Sequence, residues 1–86
     1  MPRISEFLGL VLYMYVDDHP PPHFHVIYGR FEAAVNVETG RVIRGGLPKR
    51  ASRLVREWTQ LYRTELLENW RLAEAHRPLQ WIPPLE

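Results

Sequence analysis

Apolar and polar positions alternate along the first half of the chain and recur at three- and four-residue spacing along the second. Gly9 to Val16 (GLVLYMYV) is rich in branched and aromatic residues and predicts a first strand. His23 to Tyr28 (HFHVIY) predicts a second, closed by a Gly29-Arg30 turn. Phe31 to Val37 (FEAAVNV) alternates cleanly, and Glu38-Thr39-Gly40 turns it into Arg41 to Arg44. Short turns between successive strands predict an antiparallel meander, which Gly45-Gly46 ends. From Pro48, a residue suited to the first helical position, Ala51, Leu54, Val55, Trp58, Leu61 and Tyr62 draw one apolar stripe, and Leu66, Leu67, Trp70 and Ala73 continue it. The pattern predicts two helical segments with a bend near Arg63–Thr64, where Thr64 would cap the second. Pro78 stops it, and Leu79 to Glu86, with Trp81 and Ile82, predicts an extended and partly packed tail.

The expected fold is therefore α+β: an antiparallel three- to four-stranded β-meander, then one or two C-terminal helices packed on one face. Residues 1–86 form a single domain, with strands about 9–44, helices about 48–76 and tail 77–86. Strand side chains alternate faces, so the helices should cover Leu10, Leu12, Met14, Val16, Phe24, Val26, Tyr28, Phe31, Ala33, Val35 and Val37. The open face would then collect Tyr13, Tyr15, His23, His25, Glu32 and Asn36. A one-residue slip of register would invert this assignment.

Composition narrows the context. With 86 residues, the chain buries only about 60–65% of its unfolded surface and has a thin stability margin. It has no cysteine, which excludes disulfides and thiolate metal sites and points to an intracellular protein. The longest apolar run, Leu8 to Val16, is far short of the roughly 20 residues that span a bilayer, and no cleavage-site pattern follows it. The expectation is a cytoplasmic protein without a membrane partner. The net charge of +1 hides a basic middle: Arg41 to Arg63 holds seven cations and one anion. Lys49, Arg53 and Arg56 share one side of the first helix, with Arg50 on the next row. Together with Arg41 they form either a surface for nucleic acid or an acidic partner, or a solvated helix face.

The chemistry concentrates in Asp17-Asp18-His19-Pro20-Pro21-Pro22-His23-Phe24-His25, which holds three of the four histidines. Neutral imidazole binds metal and moves protons near pH 7. One reading is a site for a divalent metal such as zinc, held by His23 and His25 with His19, or a carboxylate from Asp17 or Asp18, as the third ligand. A second is a metal-free acid–base centre for RNA cleavage. There His19, His23 and His25 would do the work, Tyr13, Tyr15 or Glu32 would assist, and Arg30 or Arg41 would hold phosphate. A third is a proline-stiffened loop rim whose histidines bond to neighbours and solvent. Trp58 and Trp70 read as core, and His76 suits a helix C-terminus without chemistry of its own.

Several blocks occur in a recognisable order: Met1-Pro2-Arg3-Ile4-Ser5-Glu6-Phe7-Leu8-Gly9-Leu10, Met14-Tyr15, Asp18-His19-x-Pro21-Pro22-His23-Phe24-His25, Glu38-Thr39-Gly40, Leu54-Val55-Arg56-Glu57-Trp58, and Glu65-Leu66-Leu67-Glu68-Asn69-Trp70. Over nearly its whole length the chain thereby resembles the small prokaryotic family called domain of unknown function 4160. That family has no established activity. Its members are often encoded beside a second small protein, and such pairs count as candidate toxin–antitoxin modules. The resemblance implies a component of such a pair, the toxin or effector side being expected. Its partner would be a small cognate protein and its target RNA. A metal-dependent hydrolase and a non-catalytic interaction module are the alternatives.

Overall fold

A computed structural model describes residues 2–16 and 18–86, so Met1 and the candidate ligand Asp17 lie outside the described residues. Five strands and two helices follow one another: β1 (Arg3–Phe7), β2 (Leu10–Tyr13), β3 (His23–Tyr28), β4 (Phe31–Asn36), β5 (Val42–Gly45), α1 (Lys49–Leu61) and α2 (Arg63–Glu74). The sheet is an antiparallel meander in the order β1-β2-β3-β4-β5. The fold is α+β as expected, with one strand more than the pattern predicted. The extra strand is β1, and the chain turns from it into β2 through Leu8-Gly9. Gly29, at φ +57, opens the β3–β4 turn as the first central residue of a two-residue loop.

The helices cover one face of the sheet. Ile4, Phe7, Leu10, Leu12, Met14, Phe24, Val26, Val35 and Val37 meet Ala51, Val55, Trp58, Leu66, Trp70 and Ala73 there. Trp58 is the hub, with its ring 5.7 Å from Phe7 and 5.5 Å from Phe24. Three expected core residues lie outside: Val16 follows the end of β2, Phe31 sits at the β3–β4 turn, and Leu61 is 62% exposed at the end of α1. The bend falls at Tyr62 (φ −117, ψ 27), which caps both helices, so Thr64 is not a cap. Pro48 is the N-cap of α1 rather than its first helical residue.

The chain leaves α2 before Pro78. His76 takes a left-handed φ of 58, and two bonds close the end: His76 N–H to the Ala73 carbonyl and Arg77 N–H to the Leu72 carbonyl. The tail then runs back along β1. The Ile82 N–H donates to the Ile4 carbonyl at 2.7 Å, and Pro83 accepts from the Trp58 indole at 2.9 Å. Asn69 holds Gln80 by both its amide groups. Ile82 is the buried anchor of the tail, while Trp81 is 58% exposed. Among the described residues no helix is long and apolar enough to cross a membrane.

Candidate metal centre

Alternation on β3 puts His23 and His25 on the side of the sheet away from Phe24 and Val26. Pairing sets their neighbours, since the row across the sheet runs Tyr13, His25, Ala34, Arg44. The Pro20-Pro21-Pro22 segment then turns the preceding chain so that Asp18 faces both rings. Its Oδ2 lies 2.9 Å from His23 Nε2 and 3.0 Å from His25 Nε2. One ligand atom from each of the three residues falls within 4.8 Å of the others.

The proton positions follow from chemistry. His23 Nδ1 lies 2.7 Å from the Pro21 carbonyl, which can only accept, so Nδ1 carries a hydrogen. In the neutral ring the Nε2 lone pair therefore faces the Asp18 carboxylate. Two acceptors aimed at one another at 2.9 Å call for a cation between them: a proton or a metal ion. An imidazole whose far nitrogen donates to a backbone carbonyl is the usual arrangement around a metal-binding histidine. Burial raises the Asp18 pKa, but a hydrogen bond from His25, one from the His19 main-chain N–H, and the charge and hydrogen bond that a protonated His23 supplies outweigh it, so the carboxyl group sits below its ordinary value.

Aromatic packing holds the rings in place. Tyr13 stacks on His25 with centroids 5.5 Å apart, Tyr15 meets its edge at 4.6 Å, and Trp70 of α2 reaches His23 at 5.3 Å. His23 and His25 are buried, while the Asp18 side chain keeps 18% of its surface open. Burial, followed by contacts with Tyr15 and Glu32, pushes the Tyr13 phenol well above its ordinary pKa. It stays protonated and donates to Glu32 Oε2 at 3.3 Å.

Two hollows flank the cluster. One, of about 200 Å³, is lined by Asp18, His19, His23 and Arg44 among others. The second, of about 310 Å³, has Tyr15, His25, Glu32 and Arg44 around a floor of Ala33 and Ala34. The structure thus gathers His23, His25, Asp18, Tyr15 and Glu32 as the sequence suggested. His19 contributes otherwise than expected: its main-chain N–H donates to Asp18 Oδ1 at 2.9 Å, and its exposed ring is not one of the three clustered ligands. Asn36 leaves the group as well, because its Oδ1 accepts from the Glu38 and Thr39 N–H groups in the β4–β5 loop.

The cation beside the cluster is Arg44, which the sequence reading counted only as part of the basic middle. Its signal was present in the register, since it pairs with Ala34, which pairs with His25. Arg30 sits in the turn at the far end of β3, stacked over Phe31 at 5.8 Å. Arg41, Lys49, Arg53 and Arg56 line a separate cleft, and Arg50 lies apart, beside Leu8 and Tyr28. The sequence model of a family described as Domain of unknown function (DUF4160) matches residues 9–71. Comparison with curated proteins and with solved structures gives no match.

Proposed function

The chain belongs to the Domain of unknown function (DUF4160) family, and we propose that in it Asp18, His23 and His25 bind a divalent transition metal such as zinc in a hydrolytic centre. The observation that carries this is the pairing of the His23 Nε2 lone pair with the Asp18 carboxylate, fixed by the Nδ1–H bond to Pro21. Two histidines and a carboxylate are a common three-ligand set that leaves coordination positions open. Tetrahedral zinc at ordinary bond lengths holds its ligand atoms about 3.3 Å apart. The Asp18–His23 and Asp18–His25 distances of 2.9 and 3.0 Å need open by only a few tenths of an ångström, while the two histidine ligand atoms, within 4.8 Å of one another, would close by up to about 1.5 Å. A metal there would polarise a substrate oxygen and make a water more acidic. In this reading Arg44, across Ala34 from His25, would hold an anionic substrate group, and Glu32 would accept a proton.

In a toxin–antitoxin-type pair this centre would belong to the effector side, acting in the cytoplasm on RNA and restrained by a small cognate protein. The test is elemental analysis and zinc titration of the purified protein beside Asp18→Asn and a His23→Ala/His25→Ala double variant, each checked for folding by circular dichroism. Near-stoichiometric metal in the native protein, lost in a folded Asp18→Asn variant, is the expected result. A folded native protein with no metal and no zinc affinity overturns the proposal. Growth arrest on expression, abolished by the same variants, is expected of an effector.

A further inference from the structure

Among the described residues, Arg41, Arg44, Lys49, Arg50, Arg53 and Arg56 make no ion pair. Four of these cations, Arg41, Lys49, Arg53 and Arg56, line one cleft of about 760 Å³ between α1 and the start of β5, and no carboxylate lines it. The backbone comes close there: a Cβ on Gly40 would lie 3.0 Å from Arg56 Cγ and 3.3 Å from Arg56 Cα. The charges also oppose the helix that carries them. Lys49 and Arg53 are four residues apart, Arg53 and Arg56 three, and like charges at these spacings repel. The first turn of α1 holds no acidic residue, so its cations face the positive end of the helix dipole unopposed. Glu57, four residues after Arg53, offsets this repulsion only in part, because it makes no ion pair with the row.

We infer that this cleft binds the sugar–phosphate backbone of a nucleic-acid strand. Three of its four cations are arginines, whose planar forks match phosphate oxygens. Lys49 to Arg56 spans about 10 Å of helix, a linear array suited to the repeating charge of a polymer rather than to one small ion. Arg41 lies just before β5, and Arg44, three residues on and about 10 Å along the chain, stands beside Asp18 and His23 on the other face of the sheet. A strand that leaves the cleft over the β5 edge would meet Arg44 at the proposed metal centre. Cleavage of that strand rests on the metal reading; its binding in the cleft does not.

The test is fluorescence anisotropy with a short labelled single-stranded RNA across a salt series. The native protein, with and without added zinc, is compared with an Arg53→Gln/Arg56→Gln double variant and with Arg77→Gln, which removes an exposed charge outside the cleft; poly-glutamate is the rival polyanion. Log affinity should fall with log salt at a slope near −3 for four phosphate contacts. The double variant should bind at least about tenfold more weakly with a slope shallower by about 1.4, and should melt no lower than the native protein, which shows that it is folded. Arg77→Gln should keep RNA affinity within about twofold. RNA binding by the zinc-free protein supports the cleft whether or not the metal reading holds. Salt-independent binding, binding untouched by the double variant, equal weakening by Arg77→Gln, or a preference for poly-glutamate overturns the inference.

Discussion

Leu8 holds φ +50 in the two-residue turn between β1 and β2, and Gly9 follows at +82. Two positive φ values in succession make the mirror-image turn that suits a twisted hairpin and that favours Asn-Gly. A leucine there is strained, and with 59% of its surface exposed it recovers little by burial. Leu8→Asn should therefore stabilise the protein by about 0.5–1 kcal/mol, seen as a rise of about 2–8 °C in thermal denaturation. A fall would show that the Leu8 side chain packs more strongly than its backbone is strained. Gly45 has no such freedom. At φ +74, an added Cβ would meet the Glu32 carbonyl oxygen at 2.2 Å. Gly45→Ala should cost about 2–4 kcal/mol, measured by urea unfolding, and a near-neutral result would show that β5 can shift away from β4. These residues explain part of what the sequence concealed. A leucine where such a turn favours asparagine disguised the first hairpin turn, so Gly9 read as the first residue of a strand and Leu8 as the start of an apolar run. In the His-Pro run, spacing could place His23 and His25 on one side of a strand. It could not show that the loop turns the Asp18 side chain inward and gives the His19 backbone, not its ring, a role.

At the scale of elements, β3 and β4 were legible because alternation and short turns are local. The helices were legible because their stripe is. An extended, partly packed tail was legible, but its partners were not, because they lie far away in sequence: Ile82 meets β1, Pro83 meets Trp58, and Gln80 meets Asn69. Apolar character alone suggested that Trp81 packs, whereas the strand-like bond from Ile82 to Ile4 buries Ile82 and turns its neighbour outward. Covering β1 in this way also shields an edge that would otherwise offer unpaired backbone groups. Ile82→Ala should cost about 2–4 kcal/mol by loss of buried methyl groups and the cavity left behind. Trp81→Ala should change stability by less than about 1 kcal/mol. Chemical unfolding of the two variants side by side is the check. Equal losses would mean that the tail is held by its backbone bonds and not by the Ile82 side chain.

For the whole molecule, metal binding and folding are coupled only as far as the unfolded chain lacks the site. A ligand at a hundred times its dissociation constant stabilises by about 2.7 kcal/mol if it binds the folded state alone. Here Asp18, His23 and His25 lie within eight residues of one another, and His19 and Asp17 sit in the same stretch. The unfolded segment keeps most of these donors close together, so it competes for the metal. What folding adds is alignment: the β3 backbone puts both rings on one side, Pro21 fixes the His23 tautomer, and Tyr13, Tyr15 and Trp70 hold the rings in place. Zinc should therefore raise the melting temperature, but by less than the roughly 10–20 °C that the full coupling would give a domain of this size. Asp18→Asn should remove most of the rise. Differential scanning calorimetry with and without zinc measures it. A rise at or above the full value would mean that the unfolded segment has no useful affinity. A melting temperature lowered by zinc would mean that the loop binds metal better when free of the sheet, and would remove the case for a preorganised centre.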